Sequence, residues 1–285
     1  MAKNSGRRPG RAVTRLATAA ITAALVATGA AATSASAADI GDAPMYGLTG
    51  ITSSGTAYHY APIGDGTLSP RVEFDTGMTG LAFVGQVDHN ADNVADGRWQ
   101  LGTSGNIWYY ADNSAAVKVG YGWDTYNTVV SVGQFGGAEA GDLLARDGKG
   151  DLYLYLGYGD GKVTKRIKVG YGWDTYTQIA GNGDLNGDGK NDVVARDKAG
   201  VLWLYKGTGN QNAPYAKRTK IGSGWNQYNT LFAAGDLTMD GRTDLVARNA
   251  KGELYLYEGT GDGAAPYKAK ALIGASGWNS YRLFF

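Results

Sequence analysis

GYGWDTYTQIAGNGDLNGDGKNDVVARDKAGVLWLYKGTGN, residues 170–210, is one copy of a unit that fills most of this chain. The same unit precedes it as GYGWDTYNTVVSVGQFGG…DLLARDGKGDLYLYLGYGDG over 120–161 and follows it as GSGWNQYNTLFAAGDLTMDGRTDLVARNAKGELYLYEGTGDG over 222–263. The Gly-Trp pairs place Trp123, Trp173, Trp225 and Trp278 at intervals of 50, 52 and 53 residues. A period of this size marks supersecondary units that bury a core only by stacking on their neighbours.

Within a unit the apolar pattern reads as four short strands. In residues 176–221 these are Tyr176–Ala180, Asp192–Arg196, Val201–Tyr205 and Ala216–Ile221. Gly181–Gly189, Lys198-Ala199-Gly200 and Gly207–Pro214 supply the turns between them. Leu152-Tyr153-Leu154-Tyr155 and Leu202-Trp203-Leu204-Tyr205 are apolar on both faces, as expected of a strand packed on both sides. That third-strand motif recurs at Ala57–Tyr60, Ile107–Tyr110, Leu152–Tyr155, Leu202–Tyr205 and Leu254–Tyr257, which makes five units. The first copy starts at its second strand, around Met45–Ile51, and the last stops after a first strand, Ser280–Phe285. The two fragments complete one another. The expectation is an all-β, five-bladed β-propeller of four-stranded blades whose C-terminal strand closes the ring and removes its open edges. A linear solenoid would leave both fragments unpaired.

The first 37 residues read differently. Lys3, Arg7, Arg8, Arg11 and Arg15 precede an Ala-rich apolar run from Ala17 to Ala32, and Ala35-Ser36-Ala37 fits a small-residue cleavage site. This is the pattern of a secretory signal peptide. The run is too short for a membrane anchor. Pro9-Gly10 after Arg7-Arg8 favours general secretion over twin-arginine export. The expected division is thus a leader at 1–37, a short segment at 38–44 and the propeller at 45–285. Without the leader, 22 basic and 26 acidic residues remain, a net −4. A mildly acidic exported body is a poor candidate for nucleic acid. The chain has no cysteine, so its core or a metal must hold it together.

Asp184, Asn186, Asp188 and Asp192 stand at positions 1, 3, 5 and 9 of D-x-N-x-D-G-x-x-D, with Gly189 at the sharp turn and the Lys190 carbonyl at position 7. That order of hard oxygens suits calcium. An EF-hand would add a bidentate Glu at position 12, where this chain has Ala195 and continues as a strand. A weaker copy comprises Asp236, Thr238, Asp240, Arg242 (by its carbonyl) and Asp244, and another Asp88, Asn90, Asp92 and Asp96. The third unit retains only Asp142. The competing reading is an Asx turn without metal.

With this loop, Val-Val-Ala-Arg-Asp after it, and the Gly-Trp and Leu-Tyr-Leu-Tyr signatures, residues 45–285 resemble FG-GAP/VCBS repeats. The five short units are also similar to the tachylectin-2 type of lectin. The resemblance implies structural calcium in the hairpin loops, and service in adhesion, in glycan binding or as an ancillary module on secreted enzymes.

The Gly-Trp-x-x-Tyr element offers the candidate ligand contacts: Trp123, Asp124 and Tyr126; Trp173, Asp174 and Tyr176; Trp225, Asn226 and Tyr228; Trp278, Asn279 and Tyr281. Aromatic faces suit the C–H face of a sugar, and the Asp or Asn can bond its hydroxyls. A buried packing wedge explains the same residues equally well. Arg146, Arg196 and Arg248 read as an ion pair or carbonyl clamp between blades. His59 and His89 occupy unrelated positions, and no nucleophile elbow, zinc motif or phosphate loop is present. The Gly-rich runs at 157–161 and 259–263 are hairpin turns. The expected function is a secreted, non-catalytic module recognising cell-wall or extracellular glycan. The alternative is a protein-interaction propeller, a docking or targeting subunit that joins a co-secreted protein in a secreted assembly such as an antibacterial toxin particle. Exposed Trp-Tyr pairs would favour sugar; buried Trp with a single apolar patch would favour a protein partner.

Overall fold

The computed structural model describes residues 43–111 and 114–285. The leader expected at 1–37 and most of the segment at 38–44 lie outside the described residues.

Among the described residues, twenty strands form five antiparallel four-stranded sheets, each of them one blade. From innermost to outermost strand, blade 2 comprises β4 (Leu81–Val87), β5 (Gly97–Gly102), β6 (Ile107–Ala111) and β7 (Val117–Gly120). In the same order, blade 3 has β8 (Tyr126–Ser131), β9 (Leu143–Asp147), β10 (Leu152–Tyr155) and β11 (Ile167–Gly170). Blade 4 has β12 (Tyr176–Gly181), β13 (Val193–Asp197), β14 (Leu202–Tyr205) and β15 (Thr219–Gly222). Blade 5 has β16 (Tyr228–Gly235), β17 (Asp244–Asn249), β18 (Leu254–Tyr257) and β19 (Ala271–Gly274). Blade 1 takes its inner strand from the C-terminus: β20 (Tyr281–Phe284) pairs with β1 (Leu48–Thr52), followed by β2 (Ala57–Tyr60) and β3 (Val72–Asp75). The register Gly50↔Phe284 and Ile51↔Leu283 closes the ring as the half-units required.

The fourth strand, expected at Ala216–Ile221, begins later than the sequence pattern suggests. In blade 4 it spans Thr219–Gly222, because residues 207–218 form a connection stapled by a Gly207↔Tyr215 bridge.

Core residues gather between blades. Leu144, Leu152 and Leu154 of blade 3 pack with Val193, Ala195 and Tyr205 of blade 4, and each other junction has its own cluster. A strand such as β9, buried along Leu143-Leu144-Ala145, therefore serves two junctions at once. This is the packing reason for its continuous apolar run. No helix among the described residues is long and apolar enough to cross a membrane.

Candidate functional site

Between the outer strand of one blade and the inner strand of the next, the chain makes a single 3-10 turn: Trp123–Thr125, Trp173–Thr175, Trp225–Gln227 and Trp278–Ser280. The glycine before each Trp is left-handed, Gly172 at φ 73° for instance, a conformation that costs glycine nothing. An earlier glycine has a second role. A Cβ on Gly170 would lie 2.5 Å from Nε1 of Trp173, so the indole folds back onto bare backbone.

That geometry settles where the expected aromatic contacts go. Trp123, Trp173, Trp225 and Trp278 are only 4–8 % exposed, and Tyr126, Tyr176, Tyr228 and Tyr281 are buried with them. Trp123 stacks on Tyr155 with ring centroids 4.5 Å apart, and Trp173 and Trp225 lie equally close to Tyr205 and Tyr257. The tyrosine hydroxyls pair within the blade: Tyr126 with Tyr155 and Tyr228 with Tyr257, each at 2.6 Å. These eight rings are packing wedges and are not available as sugar platforms, which corrects that part of the sequence reading. Burial was equally compatible with the motif, because aromatic bulk serves both roles. The four polar partners, Asp124, Asp174, Asn226 and Asn279, are exposed and lie over the glycine turns of the neighbouring hairpins.

Exposed aromatic surface lies one step earlier in the linker. Tyr121 and Tyr171 are 81 % and 85 % exposed, with no core contact to explain them. Below Tyr171, at the junction of blades 3 and 4, opens a cleft of about 520 Å³ lined by Lys168, Tyr171, Trp173, Tyr205 and Tyr215. Lys168 Nζ is 2.7 Å from Asp151 Oδ2, and Tyr215 donates to the Val169 carbonyl at 2.7 Å. The signal that could have found these residues is the Gly-Tyr-Gly-Trp spacing: a tyrosine between two conformationally special glycines has no place in a blade.

The repeated arginines are carbonyl clamps. Arg146 Nη1 donates to the carbonyls of Trp173 (3.0 Å) and Tyr176 (2.5 Å) of the next blade. Its Nε and Nη2 hold Asn127 Oδ1 and Thr128 Oγ1. Arg196 and Arg248 reach Trp225/Tyr228 and Trp278/Tyr281 in the same way. The channel along the ring axis, a cavity of about 360 Å³, is walled by all five inner strands, with Tyr46 among its lining residues.

The calcium-like loops share one hydrogen-bond scheme. Asp184 accepts the N–H groups of Asn186, Gly187 and Gly189 at 2.9, 2.7 and 2.6 Å, and Asp188 accepts that of Lys190. Asp192 accepts Leu185 N–H and Asn186 Nδ2 on one oxygen and Gly207 N–H on the other. Asp236, Asp240 and Asp244 repeat this with Gly241, Arg242, Leu237, Thr238 and Gly259. Asp88 accepts Asn90, Ala91 and Asn93 N–H, Asp92 accepts Val94 N–H, and Asp96 accepts His89 N–H. The donor types fit a hard cation. Their arrangement fits Asx turns, and among the described residues no three acidic or histidine side chains group so as to hold a metal ion. Asp142, in the loop lacking the other ligands, makes the equivalent bonds to Gly136 (2.7 Å) and Gly157 (3.0 Å). The last aspartate of the motif therefore has a structural task that needs no ion: it ties the inner loop to the glycine opening the outer one. Burial raises these carboxyls, Asp142 and Asp192 to about 6 and Asp244 to about 7, against the pull of the N–H groups they accept.

Residues 184–247 match the family model described as FG-GAP-like repeat. No curated protein sequence matches the chain. Similar solved structures include the BP39L lectin of Burkholderia pseudomallei, 14 % identical, covering 83 % of this chain and 71 % of that one at a TM-score of 0.45. A lectin of Agrocybe aegerita that recognises non-reducing terminal N-acetylglucosamine is 17 % identical, with 80 % and 66 % covered, at 0.47. Regucalcin of Agrobacterium tumefaciens, a calcium-binding protein, is 11 % identical, with 80 % and 74 % covered, at 0.42. The propeller assignment rests on the strand pairing of this chain itself.

Proposed function

We propose that this protein is a secreted, non-catalytic carbohydrate-binding propeller whose ligand lies at blade junctions. The observation that carries the reading is the cleft between blades 3 and 4. Tyr171 stands exposed at its mouth, the buried Trp173 and Tyr205 pack behind it as its floor, and the Lys168–Asp151 pair borders it. An exposed ring offers a flat apolar face to sugar C–H groups, and the flanking ion pair offers both donors and acceptors to hydroxyls. Signal-peptide-like residues at 1–37 support export.

The test is a glycan array probed with the protein and with Tyr171→Ala. Binding weakened by that change supports the reading, and Trp173→Ala cannot substitute because Trp173 is core. Absence of binding by folded protein would favour the second reading, a docking propeller. That alternative draws on Ile63, Val94 and Met239, which are exposed in the loops at the opposite end of the ring, with Met239 Sδ packed towards Gly64.

Structural calcium belongs to the proposal at 184–192, where Asp or Asn fills positions 1, 3, 5 and 9 and Gly189 makes the turn, and extends to the weaker copies at 236–244 and 88–96. An ion there would relieve the repulsion between Asp184 and Asp192 that helps raise the latter. Melting the wild type and Asp188→Ala in calcium and in chelator decides it: a chelator shift present in the first and absent from the second is expected, and no shift in the wild type would remove calcium from the account.

A further inference from the structure

The five junctions are not equivalent. Lys118 of β7 is followed in the linker by Tyr121 and Asp124, and Lys168 of β11 by Tyr171 and Asp174. Strand register aligns the strand positions, since Tyr58↔Glu73, Trp108↔Lys118, Tyr153↔Lys168, Trp203↔Lys220 and Tyr255↔Leu272 are the same pairing in successive blades, and the linker positions are aligned on the Trp, or on Met78 after β3. At the equivalent places β15 has Lys220 and its linker Ser223 and Asn226. β19 has Leu272 and its linker Ser276 and Asn279, and β3 has Glu73 and its linker Thr76 and Thr79. Only the two junctions flanking blade 3 combine a cation, an exposed ring and a carboxylate.

Nothing in folding requires the two rings. Tyr121 and Tyr171 are among the most exposed large side chains described, while in all four Gly-Trp linkers the left-handed glycine makes the turn and the Trp after it does the packing. Both sets are also close to electrically balanced. Lys168 is paired with Asp151, and Asp174 sits near the Arg146 guanidinium. Lys118 lies 5.9 Å from the ring centroids of both Trp108 and Tyr121, with Asp124 on the same linker. Balanced charge around an exposed ring suits a ligand rich in hydroxyls and bearing no charge of its own; a polyanion would meet Asp124, Asp151 and Asp174.

Resting on the glycan reading above, we infer that the junctions on either side of blade 3 are the working sites, and that they engage a single strand of neutral polysaccharide together. The two linkers emerge at the same end of adjacent blade boundaries, so a strand lying across blade 3 meets both. Two weak contacts on one polymer then act by avidity.

The experiment is affinity electrophoresis of the full chain through gels containing soluble β-1,3-glucan, glycol chitin, galactomannan or dextran, with dextran sulfate as the charged control. Retardation by at least one neutral polymer and none by dextran sulfate is expected. Tyr121→Ala and Tyr171→Ala should each lower apparent polymer affinity roughly tenfold or more, since either loss converts paired binding into single binding. The double variant should not be retarded. Ser223→Tyr with Asn226→Asp should raise the number of sites for a short oligosaccharide of the retarding polymer from two to three. Circular dichroism and melting of each variant establish that it is folded, which these exposed positions permit. Retardation that survives in the double variant, five equal sites, or preference for dextran sulfate would overturn the inference while leaving glycan binding standing. No retardation by any neutral polymer, with a silent glycan array, would overturn both.

Discussion

At the junction of blades 3 and 4, Arg146 of β9 crosses to the Trp173 and Tyr176 carbonyls, and Trp173 fills the wedge. At the junction of blades 1 and 2 neither residue type is present at the matching position. Met78 stands where the Trp would be, and the core cluster there, built on Ile51, Ala57, Met78, Val84 and Phe285, contains no Trp. Yet the carbonyl clamp survives. Arg282 of β20 donates to the carbonyls of Leu81 and Met78, each at 2.6 Å, and these are the counterparts of Tyr176 and Trp173. The guanidinium arrives from the inner strand instead of the second one. What is kept between the two junctions is the satisfaction of two carbonyls that turn away from the sheet ladder, a physical requirement that more than one sequence position can meet.

The largest expected effect comes from breaking the wedge at the regular junction. Trp173→Ala should destabilise by about 3–5 kcal/mol, the range for emptying a large aromatic site. Tyr171→Ala, two residues away and exposed, should stay within about 0.5 kcal/mol of wild type. Urea denaturation of both variants checks the contrast. Equal losses would mean that Tyr171 is also a packing residue, and the cleft would lose its claim to be a site.

The clamps come next. Arg196→Ala strands the Trp225 and Tyr228 carbonyls inside a buried junction and should cost about 3 kcal/mol, as expected for several hydrogen bonds to a charged donor. Arg282 is exposed, so Arg282→Ala should cost less, about 1–2 kcal/mol. If Arg282→Ala were neutral by denaturant midpoint, its two bonds would not be a replacement clamp, and the junction of blades 1 and 2 would rest on its small core alone.

Much of this is legible in the order of residues alone. The Leu-Tyr-Leu-Tyr count and the two half-units carry blade number and closure, because strand periodicity and edge pairing are local and repetitive. The Arg146, Arg196 and Arg248 clamps are legible too, since a cation in a buried strand must find oxygens. Arg282 is not: its role depends on two strands from opposite ends of the chain being brought together. Nor can the motif alone decide the fate of the Gly-Trp-x-x-Tyr rings. Packing and binding repeat with equal fidelity, and only Gly170 meeting the indole shows which way Trp173 turns. The last aspartates of the calcium-like loops illustrate the same limit, for one spacing serves both an ion and a set of backbone N–H groups.

Those aspartates allow a comparison between a depleted loop and its complete counterparts. Asp142 is fully buried in the depleted loop, and burial lifts its carboxyl from 3.8 to about 6. Between those values the folded protein holds a proton that the unfolded chain has released. Stability from this group is therefore complete below about pH 4 and falls as pH rises through 6, by at most about 3 kcal/mol. Asp142→Asn should flatten that part of a plot of denaturation free energy against pH. A wild-type curve that instead rises from pH 4 to 6 with Asp142 responsible would show the bonds from Gly136 and Gly157 outweighing desolvation.

The smallest effect concerns the turn position that the best loop fills with Gly187, at φ 79°, and the blade 5 loop with Met239, at φ 57°. Both stretches of backbone follow the same left-handed path, but a side chain there meets its own carbonyl, and methionine gains no local hydrogen bond in return. Met239→Gly should therefore stabilise the fold by up to about 1 kcal/mol, offset in part by the greater freedom glycine gives the unfolded chain. The converse change, Gly187→Ala, should destabilise by about 1 kcal/mol. Paired melts read both. A Met239→Gly variant that loses stability would mean that the contact of its sulfur over Gly64 outweighs the strain, making an exposed methionine in a disfavoured conformation a packed element of the blade 5 to blade 1 boundary.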